Sequence, residues 1–336
     1  MLRAYLFIVA FAFIGICRTT AQDIHFTQFY NAPLTLNPGE TTNHDADWRA
    51  AAIYRNQWRS FGAAFNTIAA SFDYQFHLKK GKIGAGIVLY NDRTRGTEGI
   101  NSTKIMLSGS YQLPVKKNRF NFGLQGGLVD KRLSKATFPD QFNIETGYFD
   151  GQMATSDGGS GIKTMYFDMN AGIVWTVVGK KFTPEVGVSV YHLNFPKESF
   201  YGKSNHLKPR PVFSFSGNWQ FSARWSLMPR ALYMYHSGAS DFIAGLQLGY
   251  SFQANALRIQ KIYAGPLMRE GFEAAPNAIM IAGGINFKKF ELGGAFDLTS
   301  SNLNKPTNYR GAFEVSLIYK GFKNPLDIIQ IPCERL

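Results

Sequence analysis

The stretch Met165-Tyr166-Phe167-Asp168-Met169-Asn170-Ala171-Gly172-Ile173-Val174-Trp175-Thr176-Val177 decides the fold class of this sequence. Its odd-numbered positions are all apolar, and Asp168, Asn170 and Thr176 stand between them. Successive side chains of a β-strand point to opposite faces, so this alternation indicates one apolar and one polar face. A usual globular strand has ~5 to 6 residues, whereas a tilted transmembrane strand has ~9 to 11. The stretch therefore predicts a strand that crosses a membrane.

Similar segments recur along the chain and define the predicted architecture. About fourteen of them are found, at 48–58, 65–76, 82–92, 102–113, 119–130, 162–177, 182–193, 209–220, 223–236, 240–252, 256–265, 277–287, 289–299 and 308–320. They predict an all-β fold, a transmembrane antiparallel β-barrel of about fourteen strands within residues 48–320. After residue 22 no apolar run approaches the ~18 residues that a spanning helix needs, so a helical membrane protein is excluded.

The N-terminus carries the features of an export signal. Arg3 is followed by an apolar run from Tyr5 to Ile16 and by small residues up to Ala21, which is the pattern of a secretory signal peptide. The run is shorter than the ~20 residues of a spanning helix, so a retained anchor is the weaker interpretation. We interpret 1–21 as a cleaved signal peptide, 22–47 as an irregular periplasmic or lumenal leader, 48–320 as an outer-membrane barrel and 321–336 as a periplasmic tail.

The connections between the predicted strands alternate in length. Short ones lie at 77–81, 115–118, 179–181 and 288–289, and longer ones include 131–161, 194–208, 266–276 and 300–307. Outer-membrane barrels of Gram-negative cells have short periplasmic turns and long outer loops, so this alternation predicts both termini in the periplasm.

Each of the four short turns carries a pair of lysines: Lys79 and Lys80, Lys116 and Lys117, Lys180 and Lys181, and Lys288 and Lys289. One interpretation is that hydrated lysines at these turns prevent aggregation. The other is a basic periplasmic rim that meets an acidic partner or anionic headgroups. A nucleic-acid partner is not expected for an exported barrel, despite the net charge of +13.

Charged residues near the strand centres predict a polar lumen. A Lys or Arg side chain that faces lipid at the membrane midplane costs ~2 to 4 kcal/mol, so such residues should face inward. The inward set is Arg55, Asp73, Lys104, Asp168, Glu185, Arg230, Arg310 and Glu314. Fourteen strands enclose more space than the side-chain-filled interior of eight, which leaves room for a plug. We interpret these charges as wall structure, with ion selectivity as the alternative.

Motifs for catalysis or metal binding are nearly absent from the sequence. The six histidines lack ligand spacing, and Cys333 is the one thiol left after signal removal, so no disulfide framework or thiol-rich metal site is expected. We predict no enzyme and no cofactor. A porin-like solute channel is the first alternative for the barrel. Ser189 near His192, or Ser237 beside His236, leaves a lipid hydrolase or acyltransferase as a minor one.

One segment does not follow the strand alternation: Gln22-Asp23-Ile24-His25-Phe26-Thr27-Gln28-Phe29-Tyr30-Asn31-Ala32-Pro33-Leu34-Thr35-Leu36-Asn37-Pro38. Its prolines favour extended or turn backbone over a helix or a central strand. We interpret it as an irregular leader at the periplasmic mouth or inside the lumen. There it would present Phe26, Phe29 and Tyr30 to something that covers them.

This leader, together with Tyr54-Arg55-Asn56-Gln57-Trp58 in the first strand, resembles the PorP/SprF family of type IX secretion outer-membrane proteins. The ending Ile331-Pro332-Cys333-Glu334-Arg335-Leu336 loosely resembles the Cys-Pro-Arg-Phe ending of that family, from which Glu334 and Leu336 depart. The resemblance implies a non-enzymatic barrel of the type IX secretion and gliding machinery. As partners it implies a secreted cargo or adhesin with a type-B C-terminal domain, and periplasmic proteins of the machinery.

The residues that carry the resemblance form the predicted partner-binding set: Phe26, Gln28, Phe29, Tyr30, Asn31, Pro33, Asn37, Pro38, Arg55, Asn56, Gln57 and Trp58. Our hypothesis is that the barrel sits in outer-membrane lipid and that its outer loops or lumen grip the terminal domain of the cargo. The leader and the basic turns would then dock the machinery. Docking of this kind needs no turnover chemistry.

Overall fold

Within the residues that the computed structural model describes, fourteen strands close into one antiparallel barrel. The described residues are 25–57, 64–94, 99–133, 139–150, 152–153, 162–200, 205–253, 259–270, 276–300 and 310–323. The strands are β1 (Trp48–Gln57), β2 (Phe65–His77), β3 (Lys82–Thr94), β4 (Ile100–Val115), β5 (Asn118–Leu133), β6 (Phe142–Asn143), β7 (Tyr148–Phe149), β8 (Lys163–Val177), β9 (Phe182–Tyr191), β10 (Arg210–Gln220), β11 (Trp225–His236), β12 (Ala239–Ser251), β13 (Ile259–Glu270), β14 (Pro276–Phe287), β15 (Phe290–Thr299) and β16 (Arg310–Gly321). Of these, β6 and β7 form a separate two-stranded ribbon. The predicted signal peptide, Trp58 and the chain from residue 324 onward lie outside the described residues.

Each barrel strand pairs with its neighbours in the chain, and β1 closes the barrel against β16. The closing register runs from Trp48 opposite Gly321 to Gln57 opposite Ala312. In the barrel β5 pairs directly with β8, because β6 and β7 between them in the sequence belong to the separate ribbon. The prediction of an all-β, fourteen-stranded antiparallel barrel is confirmed, and every predicted segment overlaps one barrel strand.

The two faces of the barrel wall differ as the alternation requires. The outer face exposes large apolar side chains, with Leu107, Leu124 and Met165 each more than 60% exposed. The inner face buries polar ones, including Asp73 and Asp168. In a membrane the outer side chains contact acyl chains, and the polar side chains are kept away from lipid.

The leader is helical in short turns, which the sequence-based prediction missed. Residues Phe29–Asn31 and Pro38–Thr42 form 3-10 helices, and Pro33–Leu36 forms one α-helical turn. Pro33 and Pro38 are the first residues of the second and third turns. At that position a backbone N–H would have no partner within the helix, so proline loses no hydrogen bond. The Asn37 side chain caps the last turn by accepting the N–H of Gly39 at 2.8 Å. Among the described residues, no helix is both long enough and apolar enough to pass through a membrane.

The connections define two mouths. The short-turn mouth holds the turns after β2, β4, β8 and β14, which carry the lysine pairs, and the long-loop mouth lies at the opposite strand ends. Two connections at the long-loop mouth are shorter than the pattern suggested. The predicted connection 266–276 is wrong, because β13 continues to Glu270 and β14 begins at Pro276. Ser237 and Gly238, both with positive φ, turn β11 directly into β12.

Candidate functional site: the leader inside the barrel

The leader lies inside the lumen and runs its length. At the long-loop mouth, His25 Nε2 is 2.9 Å from Asp241, near the start of β12. At the short-turn mouth, His44 Nε2 is 2.7 Å from Asp73, near the end of β2. The backbone N–H of Asp47 then donates to the carbonyl of Gly321 at 3.0 Å, beside the start of β1. Of the two positions predicted for the leader, the lumen is therefore the one observed.

A buried cluster of charges holds the first turn of the leader. Glu314 on β16 accepts the backbone N–H groups of Thr27 at 2.7 Å and Gln28 at 2.9 Å. Arg55 on β1 pairs with Glu314 and, at 3.0 Å, with Asp297 on β15. We call Thr27, Arg55, Arg269, Asp297 and Glu314 the latch cluster.

The charges of the latch cluster balance one another. The Thr27 hydroxyl accepts from Arg55 at 3.0 Å and donates to Asp297 at 2.9 Å. Arg269 on β13 lies 3.4 Å from Asp297. Two carboxylates therefore face two guanidinium groups, and a buried carboxylate without such partners would be costly. Sequence parity had placed Arg55 and Glu314 in the lumen but had not included Asp297 or Arg269.

The middle of the leader packs into the wall, which supplies the cover predicted for its aromatic residues. Phe29 belongs to an apolar cluster that includes Leu232, Ile243 and Met280, and Phe26 belongs to a second cluster. The Tyr30 hydroxyl accepts from Gln247 Nε2 at 2.7 Å. Burial raises the pKa of Tyr30 to about 12, so this hydroxyl stays protonated at neutral pH.

Glycines on the inner wall give the leader its space. A Cβ on Gly123 would lie 2.2 Å from the carbonyl carbon of Pro38, and one on Gly172 would lie 2.0 Å from Asn37 Oδ1. Both distances are shorter than any van der Waals contact, so neither position has room for a side chain while the leader is seated. We name the inward glycines that approach the leader the glycine cradle: Gly84, Gly86, Gly123, Gly172, Gly187 and Gly293.

Two carboxyl groups meet at the short-turn end of the leader. Asn43 Nδ2 donates to Glu40 Oε2 at 3.0 Å and to Glu185 Oε2 at 2.7 Å. Burial, and then the neighbouring Glu185, raise the pKa of Glu40 to about 8. Burial also lowers the pKa of His44. At pH 7 the seated leader therefore holds mainly protonated Glu40 and neutral His44.

The predicted partner-binding residues do not share one surface. Gln28, Phe29, Asn31, Asn37 and other leader residues are buried against the wall, so their binding to a partner would require the leader to move. In β1, the Arg55 side chain donates a hydrogen bond to Gln57 in the lumen, whereas the Asn56 side chain donates one to Asn66 on the outer face. The described members of the set that contact the lumen wall or lie in the leader are Phe26, Gln28, Phe29, Tyr30, Asn31, Pro33, Asn37, Pro38, Arg55 and Gln57. Their role in partner binding stays a prediction.

The remaining predicted lumen residues whose side chains are described also lie on the inner wall. Lys104 is buried with its Nζ 5.4 Å from the centre of the Tyr90 ring. Asp168 is 3.0 Å from His192 Nδ1. Arg310 begins β16, and its side chain lies outside the described part. All eight lysines of the short turns are exposed.

Ser189 and His192 do not form a site at lipid depth. His192 is buried in the lumen beside Asp168. The Ser189 hydroxyl donates to the Leu36 carbonyl of the leader at 3.0 Å. A lipid hydrolase needs its nucleophile where acyl chains can reach it, which this pair does not offer. Within the described chain, no group of three His, Cys, Asp or Glu side chains could hold a metal ion.

The long connection from β5 to β8 carries an exposed apolar ribbon that sequence analysis did not single out. Ile144 is 89% exposed, Tyr148 77% and Phe149 55%. Asp140, Glu145 and Asp150 surround them, and residues 136–162 contain no Lys or Arg. We call residues 139–150 the outer ribbon. The sequence did contain a signal for this ribbon: acidic residues without any lysine or arginine, next to a turn-forming Gly147, in a chain that is otherwise rich in lysine.

Comparisons with known proteins agree with this architecture. The sequence profile of the family described as type IX secretion system membrane protein PorP/SprF matches residues 18–319. No curated protein matches the chain. Among solved structures, the CymD monoaromatic hydrocarbon channel is 11% identical, covers 87% of this chain and 93% of its own, and has a TM-score of 0.51. The Pseudomonas putida toluene transporter TodX is 12% identical, covers 90% and 96%, and has a TM-score of 0.50. Likeness at these identities shows the barrel fold alone.

Proposed function

Because this chain belongs to the PorP/SprF family of type IX secretion system membrane proteins, we propose that it holds a secreted, adhesin-like cargo protein at the cell surface through the type-B C-terminal domain of that cargo. It would also help the cargo leave the cell. The observation that most supports holding over solute passage is the leader, which runs through the lumen and is held there by the latch cluster and the glycine cradle. A porin-like channel would need that leader to leave.

The two mouths of the barrel would bind different partners. The short-turn mouth, with its exposed lysine pairs and the end of the leader, would face the periplasm and contact the secretion and gliding machinery. Its lysines would favour an acidic partner surface, because opposite charges steer encounter. The long-loop mouth would then face outward and meet the cargo.

The outer ribbon is the surface best suited to contact the cargo. Large exposed apolar side chains are uncommon on surfaces that stay in water, and aromatic anchors carry much of the energy of protein contacts. The acidic residues around Tyr148 and Phe149 would repel anionic headgroups, which argues against the ribbon resting on the membrane. We therefore expect a cargo surface with an apolar patch and a basic rim.

The test replaces Tyr148 and Phe149 together with serine in the full chain. We expect the barrel to insert normally and the cargo to be lost from the surface of intact cells, because the aromatic anchors are gone. Thr146→Ala, an exposed change in the same ribbon, is the matched control and should retain the cargo. Surface proteolysis, and mass spectrometry of proteins that co-purify with the barrel, measure the effect. Unchanged cargo with the double variant would refute the ribbon as the contact.

A further inference from the structure

A polar cavity of about 240 Å³ lies between the leader and the barrel wall at the short-turn end. Its leader side includes Tyr30 and Glu40, and its wall side includes Ser214, Ser216 and Arg230. Asp45, which is largely exposed, also lines it, so the cavity opens toward the short-turn mouth. The space is large enough for several water molecules or for one charged group of a ligand.

Among the residues that the structure describes, Arg230 forms no ion pair with a carboxylate, although Glu185 and Glu291 line the same cavity. Its Cζ lies 4.3 Å from the centre of the Tyr30 ring, so the guanidinium stacks on the leader. Its Nε is buried and has no hydrogen-bond partner among the described residues. A guanidinium has five N–H donors in a rigid fork, and leaving one buried and unbonded is unfavourable. Because protein atoms cover this Nε, a ligand in the cavity would have to meet the terminal nitrogens of the guanidinium, and Arg230 does line the cavity.

The other cations of the cavity already have carboxylate neighbours. Arg49 pairs with Asp73 at 3.1 Å, and Arg119 pairs with Asp45 at 3.3 Å. The Lys320 Nζ lies 4.0 Å from Glu291. Ser216 stands directly opposite Arg230 in the pairing of β10 with β11, and both residues line the cavity. Of the arginines and lysines that line the cavity in the described part of the chain, Arg230 is therefore the one without an ion-pair partner, and Ser216 is its neighbour across the two strands.

We propose that Arg230, stacked on Tyr30 and assisted by Ser216, binds a carboxylate carried by a peptide segment that enters from the short-turn mouth. The planar fork of Arg matches a carboxylate through two parallel hydrogen bonds. A doubly charged phosphate fits less well, because Glu185 and Glu291 themselves line the cavity and repel a ligand in proportion to its charge. The source of this peptide would be a protein of the periplasmic machinery, and only that assignment rests on the proposed function.

The protonation state of Glu40 is compatible with an anionic ligand in the cavity. Glu40 lines the cavity, and burial beside Glu185 raises its pKa to about 8. At pH 7 it is mainly neutral and adds little repulsion. The other acids at the cavity are engaged: Glu185 accepts from Asn43, and Glu291 accepts from the Tyr263 hydroxyl at 2.9 Å.

The experiment titrates the purified full chain in detergent with N-acetylglycylalanine, with its C-terminal amide, and with acetate, using calorimetry. We expect saturable binding of the free acid. The amide should bind at least about tenfold more weakly than the acid, because charge-assisted hydrogen bonds are lost. Arg230→Gln should weaken binding of the acid to the same extent. Arg224→Gln changes an exposed arginine at the same mouth and should leave it unchanged.

The three probes and a second variant keep the test decisive. Acetate that binds as well as the peptide acid would assign the site to small free carboxylates and overturn the peptide part of the proposal. Equal binding of acid and amide, or binding that survives Arg230→Gln, would overturn the site. If Arg230→Gln fails to insert, Arg230→Lys keeps the charge but loses the fork, and we expect roughly tenfold weaker binding. Unchanged affinity in that folded variant would also refute the site.

Discussion

Glu314 is the residue on which the seating of the leader most depends. Its two carboxylate oxygens accept the backbone N–H groups of Thr27 and Gln28 in the leader, and Arg55 balances its charge. The residue is fully buried, so a change there is not compensated by water. In contrast, the Arg132–Asp130 pair lies at an exposed position of β5.

Glu314→Gln should therefore loosen the leader. The amide oxygen replaces one acceptor only and leaves two guanidinium groups facing a single carboxylate, and breaking a buried pair costs about 3 to 5 kcal/mol. We expect a lower unfolding temperature in detergent and faster chymotrypsin cleavage at Phe26 and Phe29. Asp130→Asn is the control, since exposed ion pairs contribute about 0 to 1 kcal/mol. Equal effects from the two changes would contradict the latch cluster.

Glu40 makes the seated leader sensitive to pH. Its pKa rises from 4.5 to about 8 on seating, so the seated state binds a proton that the released state has lost. The stabilisation is complete below pH 4.5 and is lost as the pH rises to about 8. His44, whose pKa burial lowers from 6.5, acts in the opposite direction below pH 6.5. The range from pH 6.5 to 9 therefore isolates Glu40.

Chymotrypsin cleavage of the leader should accelerate across that range and level off above pH 8. Glu40→Gln, which cannot ionise, should remove most of this pH dependence. The measurement is the cleavage rate of the N-terminal segment at several pH values, corrected for the activity of the protease on an unfolded substrate. A slope retained in Glu40→Gln would assign the effect to another group.

At the scale of elements, the leader and the glycine cradle are complementary. The leader can lie against the wall because strands β3, β5, β8, β9 and β15 place glycines where it passes. The sequence shows these glycines, but only the fold reveals which of them face inward beneath the leader. Gly109 on β4 faces the other way, and a Cβ there would meet nothing closer than 3.9 Å.

Gly123→Ala should displace the leader, because the new methyl group would overlap the Pro38 carbonyl. The barrel strands themselves should persist, since alanine is compatible with an extended backbone. Gly109→Ala is the matched control on the neighbouring strand and should behave as the parent. Leader cleavage and single-channel conductance in planar bilayers measure the outcome. If Gly123→Ala changed neither the cleavage of the leader nor the conductance, the leader would not be in close contact with the wall at that position.

At the scale of the whole molecule, the leader decides whether the barrel conducts. The parent protein should show little conductance, because the leader runs through the lumen from His25 to His44. Deletion of residues 22–38 should leave the barrel inserted and produce stable conductance steps, because fourteen strands enclose more than side chains fill. The same deletion should abolish cargo display if the leader is needed for docking. Strong conductance of the parent would favour the porin-like alternative.

The sequence by itself determined the barrel, its strand number and the inward direction of Asp73, Asp168 and Glu314. Alternation with period two is a local property, so each strand can be recognised without knowing its partners. The tertiary structure alone decided that the leader threads the lumen, that Asp297 and Arg269 join Arg55 and Glu314, and that Arg230 forms no ion pair with a carboxylate of the described chain. The contacts of the leader join residues up to 288 positions apart, and they form only when the sheet closes and brings distant inward side chains against one another.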